Sequence, residues 1–150
     1  MRFIAITILS LLLLPDRSMA GDKPPAENEY VKFNIALKEK RLSPGSKGHL
    51  LISLKPKKGV QIPINPPMDV KLESSNAIIS VGKLEIPKSK KKPYVESALP
   101  VKLSFTFSKT VQPGVVPIKG VLTYYYCSDA EGWCSKFKQP IELMINVVQP

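Results

Sequence analysis

Proline punctuates this sequence from end to end, and that spacing limits what the chain can fold into more than any other feature. The proline ring fixes φ and removes a backbone N–H. It therefore breaks helix interiors and is tolerated in sheets only at edges, bulges and strand starts. No stretch between the 15 prolines carries an amphipathic helical pattern. What lies between them alternates with the period of a strand. Val101, Leu103, Phe105 and Phe107 set against Lys102, Ser104 and Thr106 are the clearest half-buried strand. Further strands are predicted over 30–36, 48–55, 60–64, 69–73, 77–81, 115–126 and 141–148. Turn signals separate them, among them Ser43 to Ser46, Pro56 to Gly59, Pro66 and Pro67, and Pro113 with Gly114. The stretch 84–93 reads as a loop carrying a lysine run over 88–92. About eight strands at this spacing predict an all-β protein, a β-sandwich.

Both cysteines fall in one late segment. Leu122, Tyr124 and Tyr126 alternate with Thr123 and Tyr125 up to Cys127. Asp129, Ala130, Glu131 and Gly132 then suit a type I turn, with Asp first and Gly last. A turn centred there sets Ser128 against Trp133 and Cys127 against Cys134. Directly opposed residues of an antiparallel pair have Cα atoms about 4.5–5.5 Å apart, and a disulfide spans about 4.4–6.8 Å. The spacing thus fits a bridge across the mouth of a hairpin.

The first residues read as an export signal. Arg2 precedes the apolar run 3–14, and Ser18 and Ala20 offer small residues for cleavage after Ala20. The run is short for a membrane span, and none is expected in the mature chain. Residues 21–29 form a polar, flexible lead-in and 30–150 a single domain. Export implies an oxidising compartment in which a disulfide persists, with a bacterial periplasm preferred to secretion. The formal net charge is +10, and losing Arg2, Asp16 and Arg17 with the leader keeps it at about +9. Outside the cytoplasm nucleic acid is not an expected partner. The lysine run reads as a solvated loop, or as a patch that steers association.

The chain has no Gly-rich phosphate loop, no Ser/His/Asp set and no carboxylate dyad. Two cysteines and the single His49 fall short of a structural zinc site. A copper site from Cys127, Cys134, His49 and Met68 or Met144 is not favoured by the spacing, so no metal or cofactor is expected. The cysteine pair is the remaining chemistry, and the residues leave its role open. It joins neighbouring strands that already pair, and closing such a short loop is worth about 2.5 kcal/mol, against about 4.7 for a hundred-residue loop. A bridge near a hairpin tip is also within reach of an attacking thiolate. Trp133 can pack on the bridge, cap the end of the domain or anchor a partner. Asp129 and Glu131 disfavour a nearby thiolate, whereas Lys136 and Lys138 favour one.

The run Val121, Leu122, Thr123, Tyr124, Tyr125, Tyr126, Cys127, followed by Gly132, Trp133 and Cys134 near the end of an all-β domain, resembles the N-terminal domain of periplasmic thiol:disulfide interchange proteins of the DsbD family. Pro44 to Gly48, Lys57 to Gly59, and Pro66 with Pro67 add to the likeness, which spans most of the mature chain. The resemblance implies an immunoglobulin-like β-sandwich with the cysteine pair on a C-terminal hairpin. It implies a redox disulfide that passes electrons to or from thioredoxin-like partners, exported or membrane-attached. Cys134 would form the mixed disulfide and Cys127 resolve it. A segment over 88–96 would shield the pair, with Tyr94, Tyr126 and Trp133 as shielding or partner-contact aromatics. This sequence departs from the family pattern in a turn one residue longer, in lysines where acids are expected, and in lacking aromatics near Gln61. It ends without an electron-conducting membrane domain, so the module is expected to act as a monomer with separate redox partners. The alternative is a non-catalytic envelope β-sandwich that binds a partner and uses the disulfide as a staple.

Overall fold

The computed structural model describes residues 27–90 and 92–149. The leader expected over 1–20, most of the lead-in over 21–29 and Lys91 of the lysine run lie outside the described residues. Seven strands follow in order: β1 (Val31–Leu37), β2 (Lys47–Pro56), β3 (Asp69–Leu72), β4 (Ile78–Glu85), β5 (Val101–Phe107), β6 (Gly114–Ser128) and β7 (Trp133–Val147). They form two antiparallel sheets, ordered β1-β2-β5-β4 and β3-β6-β7. Among the described residues there is no helix long and apolar enough to cross a membrane.

Period-two alternation explains how the sheets meet. The inward positions of β5 are the predicted Val101, Leu103, Phe105 and Phe107, all buried. Beneath the hairpin end, Val31, Ile52, Leu54 and Val101 of one sheet pack with Leu122, Tyr124, Tyr126 and Ile141 of the other. Toward the opposite end, Leu50, Leu103, Phe105 and Phe107 pack with Ile118, Ile145 and Val147. Each cluster draws on both sheets, so burial of these side chains holds the layers face to face. The Tyr124 hydroxyl accepts a hydrogen bond from Asn28 Nδ2 at 3.0 Å, which ties the segment before β1 to the core. Burial pushes this phenol up to about 12.

The segment 60–64, predicted as a strand, is not one of the seven and holds only isolated bridges at Gln61 and Pro63, and two strands differ in extent from the sequence expectation. The strand predicted over 77–81 runs on to Glu85 as β4, into the stretch read as a loop. Its register against β5 shifts between Ile78 and Ser80 and again between Val81 and Leu84. Such bulges break the alternation that a sequence pattern depends on. The second is β7, in which the return strand expected after the turn and the strand predicted over 141–148 are one, running unbroken from Trp133 through Pro140.

The backbone of Cys127 explains that tolerance of proline. It donates to the Gln61 carbonyl and accepts from the Gln61 N–H, both at 2.9 Å. Its polar groups therefore point away from β7, and Cys127 and Cys134 form a non-hydrogen-bonded pair. The β6–β7 register is continuous, so every second pair shares this character, including Val121 with Pro140. Pro140 sits where its missing N–H would have faced the open side of an edge strand.

Gly120 lies where β3 and β6 approach, paired with Leu72. A Cβ there would stand 2.5 Å from the Lys71 carbonyl oxygen and 2.9 Å from the Leu72 Cα. Backbone cannot move aside as a flexible side chain can. Gly120→Ala is expected to pry β3 from β6 and cost about 1–3 kcal/mol, read as a lower midpoint in urea unfolding. An unchanged midpoint would mean that β3 shifts without penalty.

Candidate functional site

The hairpin joining β6 and β7 is built from its turn outward. Gly132 has φ +69°, a left-handed conformation that glycine adopts at no steric cost. Its N–H bonds the Ser128 carbonyl at 2.9 Å, and the Glu131 N–H reaches Ser128 Oγ at 3.4 Å. These contacts place the turn over Asp129 to Gly132, as the sequence predicts, with Ser128 opposite Trp133 and Cys127 opposite Cys134. The two cysteines are disulfide-bonded, S–S 2.05 Å and Cα–Cα 4.1 Å. Side chains approach each other most closely in a non-hydrogen-bonded pair, so this register suits a cross-strand bridge.

The alternation puts the disulfide on the outward face of the three-stranded sheet, away from the core. The two halves of the bridge differ in access. Cys127 is 8 % exposed, whereas Cys134 on the edge strand is exposed. Gln61, paired with Cys127, lies beside it on the same face. Gln61 Nε2 donates to Asp129 Oδ2 at 3.3 Å, and the Tyr94 hydroxyl donates to the same oxygen at 2.7 Å.

Tyr94 arrives from the chain stretch that carries the lysine run. The Val95 N–H bonds the Ile62 carbonyl at 2.8 Å and the Ile64 N–H bonds the Pro93 carbonyl at 3.1 Å, with Pro63 bridged to Tyr94. The segment 60–64, predicted as a strand, thus serves as a strip between β6 and the Tyr94 stretch. By accepting the phenol's hydrogen bond, the Asp129 carboxylate holds Tyr94 above its ordinary value of 10.0. Residues 61, 94 and 129 form a hydrogen-bonded latch from the strip and the lysine loop to the hairpin tip.

Sequence reasoning singled out Tyr94 but missed Gln61, and it treated Asp129 as a turn residue and a charge near the sulfurs. The pairing of Gln61 with Cys127 joins residues far apart in the chain, and no local pattern announces it. Tyr126 and Trp133 fall on the opposite face from the disulfide. Tyr126 is 9 % exposed and stacks on Tyr30 at 5.8 Å between ring centroids, while Trp133 meets Tyr30 edge-on at 5.1 Å. Trp133 Nε1 donates to Glu131. These aromatics close the end of the core beneath the hairpin. Lys136 and Lys138 share the face of Cys134, and Lys136 Nζ lies 5.8 Å from the centre of the Tyr125 ring.

The residues considered for copper are not brought together. His49 lies in the other sheet, where its ring Nδ1 and backbone N–H meet the two oxygens of Glu39 at 2.6 and 2.8 Å. Burial opposes ionisation of Glu39, but these bonds hold its carboxyl below the ordinary range. Met68 is buried and Met144 exposed. Among the described residues no group of three or more His, Cys, Asp or Glu could hold a metal ion. No known family model matches the chain, and no curated protein matches it.

The latch makes a definite expectation for pH. A phenol whose folded pKa is raised contributes its bond below the ordinary value and loses it as pH rises through the folded one. In Asp129→Asn the carboxylate that holds the proton is gone, so the Tyr94 titration should move down toward 10.0. Carbon-detected NMR of the Tyr94 ring reads this directly, and an unmoved titration would mean that the bond to Asp129 does not form in solution.

Proposed function

We propose that the chain is an exported thiol:disulfide exchange module whose Cys127–Cys134 disulfide trades electrons with thioredoxin-like partners. In this reading its two packed sheets are an immunoglobulin-like sandwich and its compartment is a bacterial periplasm. The observation that carries the reading is the unequal access to the two sulfurs. Cys134 is open to attack while Cys127 is covered, and the bridge joins strands that the β6–β7 ladder already holds in register. Such a bridge adds little constraint that the ladder lacks. The likeness of the cysteine hairpin to the DsbD N-terminal domain supports the same reading.

The exchange runs through Cys134. A partner thiolate attacks Cys134 Sγ, a new S–S bond forms, and the Cys127–Cys134 bond breaks with its electron pair leaving on Cys127, which takes up a proton. The partner's second thiolate then attacks the partner's own bridging sulfur and releases the Cys134 thiolate, which is also protonated. The module ends with two thiols and the partner with a disulfide, a two-electron transfer. In reverse, the Cys134 thiolate attacks a partner disulfide and Cys127 resolves the intermediate. The side-by-side cysteines need no strand separation for either step.

The burial of Cys127 also fits the reading as a binding module with a structural staple, and the reduction potential separates the two. Equilibration against glutathione is expected to place the pair at roughly −120 to −270 mV, the range of exchange-active disulfides. A value below about −300 mV would instead identify a staple. The division of labour has its own test. A Cys127→Ser variant should accumulate a mixed disulfide with thioredoxin-like proteins of the same compartment, and Cys134→Ser should trap far less. Equal trapping by both variants would remove the assigned roles.

A further inference from the structure

We infer that Lys136 makes Cys134 the sulfur that ionises when the bridge is reduced, while Asp129 and burial keep Cys127 protonated. On the exchange reading above, on which this rests, Lys136 is a positioning residue for the reaction. It acts through Cys134 and decides which of the two sulfurs carries the negative charge.

Register and alternation place the cation. Lys136 stands two residues after Cys134 on β7, and its cross-strand partner is Tyr125. Residues two apart on a strand share a face and lie about 7 Å from each other. The Tyr125–Lys136 pair is thus the rung next to the bridge, on the bridge's own face. Lys136 Nζ lies 5.8 Å from the centre of the Tyr125 ring, a contact that draws an ammonium onto an aromatic face. The ring keeps a long side chain beside the sulfurs. Lys136 joins no ion pair among the described residues, so no carboxylate offsets its charge. Lys138, one rung further along and opposite Thr123, adds a weaker contribution of the same sign.

The acids are turned away from Cys134. Asp129 Oδ2 is held by Gln61 Nε2 at 3.3 Å and by the Tyr94 hydroxyl at 2.7 Å. Both donors lie on the side of β6 away from β7, so the carboxylate is drawn toward Cys127. Glu131 accepts from Trp133 Nε1, and Trp133 lies on the face opposite the bridge. On the bridge's own face, Asp69 and Lys71 of β3 stand two strands from Cys134, opposite Thr123 and Val121, and carry opposite charges. Lys119 and Glu142 pair with each other at 3.4 Å. Lys88, Lys90 and Lys92 are exposed on the stretch that the strip at 60–64 separates from both sulfurs.

Burial acts in the same direction. Cys127 is 8 % exposed, and loss of water penalises a thiolate, whereas Cys134 is exposed and keeps its solvent. Charge and solvation together assign the thiolate to the sulfur that a partner can reach. In the reducing direction the Cys134 thiolate attacks a partner disulfide and forms the mixed disulfide. The electron pair of the broken bond leaves on the partner's second sulfur, which takes up a proton. Cys127 then gives its proton to water and attacks Cys134 Sγ, which closes the bridge and releases the partner's other thiolate. Two electrons pass to the partner. The neutral disulfide has no charge for the ammonium to stabilise, so Lys136 acts on the reduced state.

The test follows alkylation of the single thiol of a Cys127→Ser variant by iodoacetamide, an uncharged reagent, as a function of pH. The rate tracks the thiolate fraction. Its midpoint is expected below that of a cysteine-containing reference peptide. Adding Lys136→Met should raise the midpoint by about half a pH unit, the size expected for one charge about 7 Å away in a largely aqueous medium. Below both midpoints this variant should react about twofold more slowly, because a gain in intrinsic nucleophilicity offsets part of the lost thiolate. Lys136→Arg keeps the charge and should restore the low midpoint, and about 1 M salt should erase the difference. In the reduced chain with both cysteines present, Cys134 should be labelled before Cys127, as located by peptide mass spectrometry. Superimposable profiles with and without Lys136→Met, or first labelling at Cys127, would overturn the inference and leave the exchange reading to the glutathione equilibration. A reduction potential in the range of structural staples would overturn the exchange reading, and with it any role of Lys136 in exchange, whatever the alkylation profile.

Discussion

Everything at the hairpin end of this protein depends on the antiparallel ladder between β6 and β7, which runs from Gly114 opposite Val147 to Ser128 opposite Trp133 without a register shift. In such a ladder, alternation is strict in two senses. Side chains alternate between faces, and backbone polar groups alternate between the two neighbouring sides. Once Cys127 gives its backbone to Gln61, both patterns are set along the whole length. The disulfide must face outward, Tyr124 and Tyr126 must face the core, and Pro140 must sit where no bond is lost. A single slipped residue would reverse every one of these assignments.

The two faces of the hairpin consequently have different tasks. Beneath it, Tyr30, Tyr126 and Trp133 form an aromatic floor that seals the end of the hydrophobic core and stiffens the support for the bridge. Above it, polar groups from distant parts of the chain converge on Asp129. The Tyr94 hydroxyl and the Gln61 amide both reach one carboxylate oxygen, which joins the strip at 60–64 and the lysine-bearing stretch to the hairpin tip. The side of the bridge toward β3 is thereby covered by protein, while the side toward the edge of β7 stays open. That difference makes the two sulfurs chemically distinct although they lie directly opposite each other. A symmetric bridge would offer no preferred point of attack.

The distribution of proline and lysine fits the same logic. Pro140 and Lys138 lie on the edge strand, where a missing donor and a mobile charge discourage unwanted pairing. Pro117, opposite Met144, turns its ring nitrogen to the same side of β6 as β3, but beyond the end of β3, which pairs with residues 120–123. The prolines that rule out helices are therefore compatible with two long strands, since each falls at a position that asks for no N–H. Gly120 meets the complementary need, leaving room for β3 to approach.

From the sequence alone one can deduce the all-β character, the inward set of β5, the turn over Asp129 to Gly132 and the pairing of Cys127 with Cys134. Each follows from local rules, namely period-two alternation, turn-residue preferences and the short span between the cysteines. The extent of β4 was hidden because its bulges break the period, and that of β7 because proline is penalised without knowledge of which side of the strand is free. The outward placement of the disulfide, the burial of Cys127, the exposure of Cys134 and the Gln61–Asp129–Tyr94 latch were decided only by the tertiary structure. They depend on which distant segment hydrogen-bonds the open side of β6, and that choice rests on long-range register, which short-range sequence patterns do not encode.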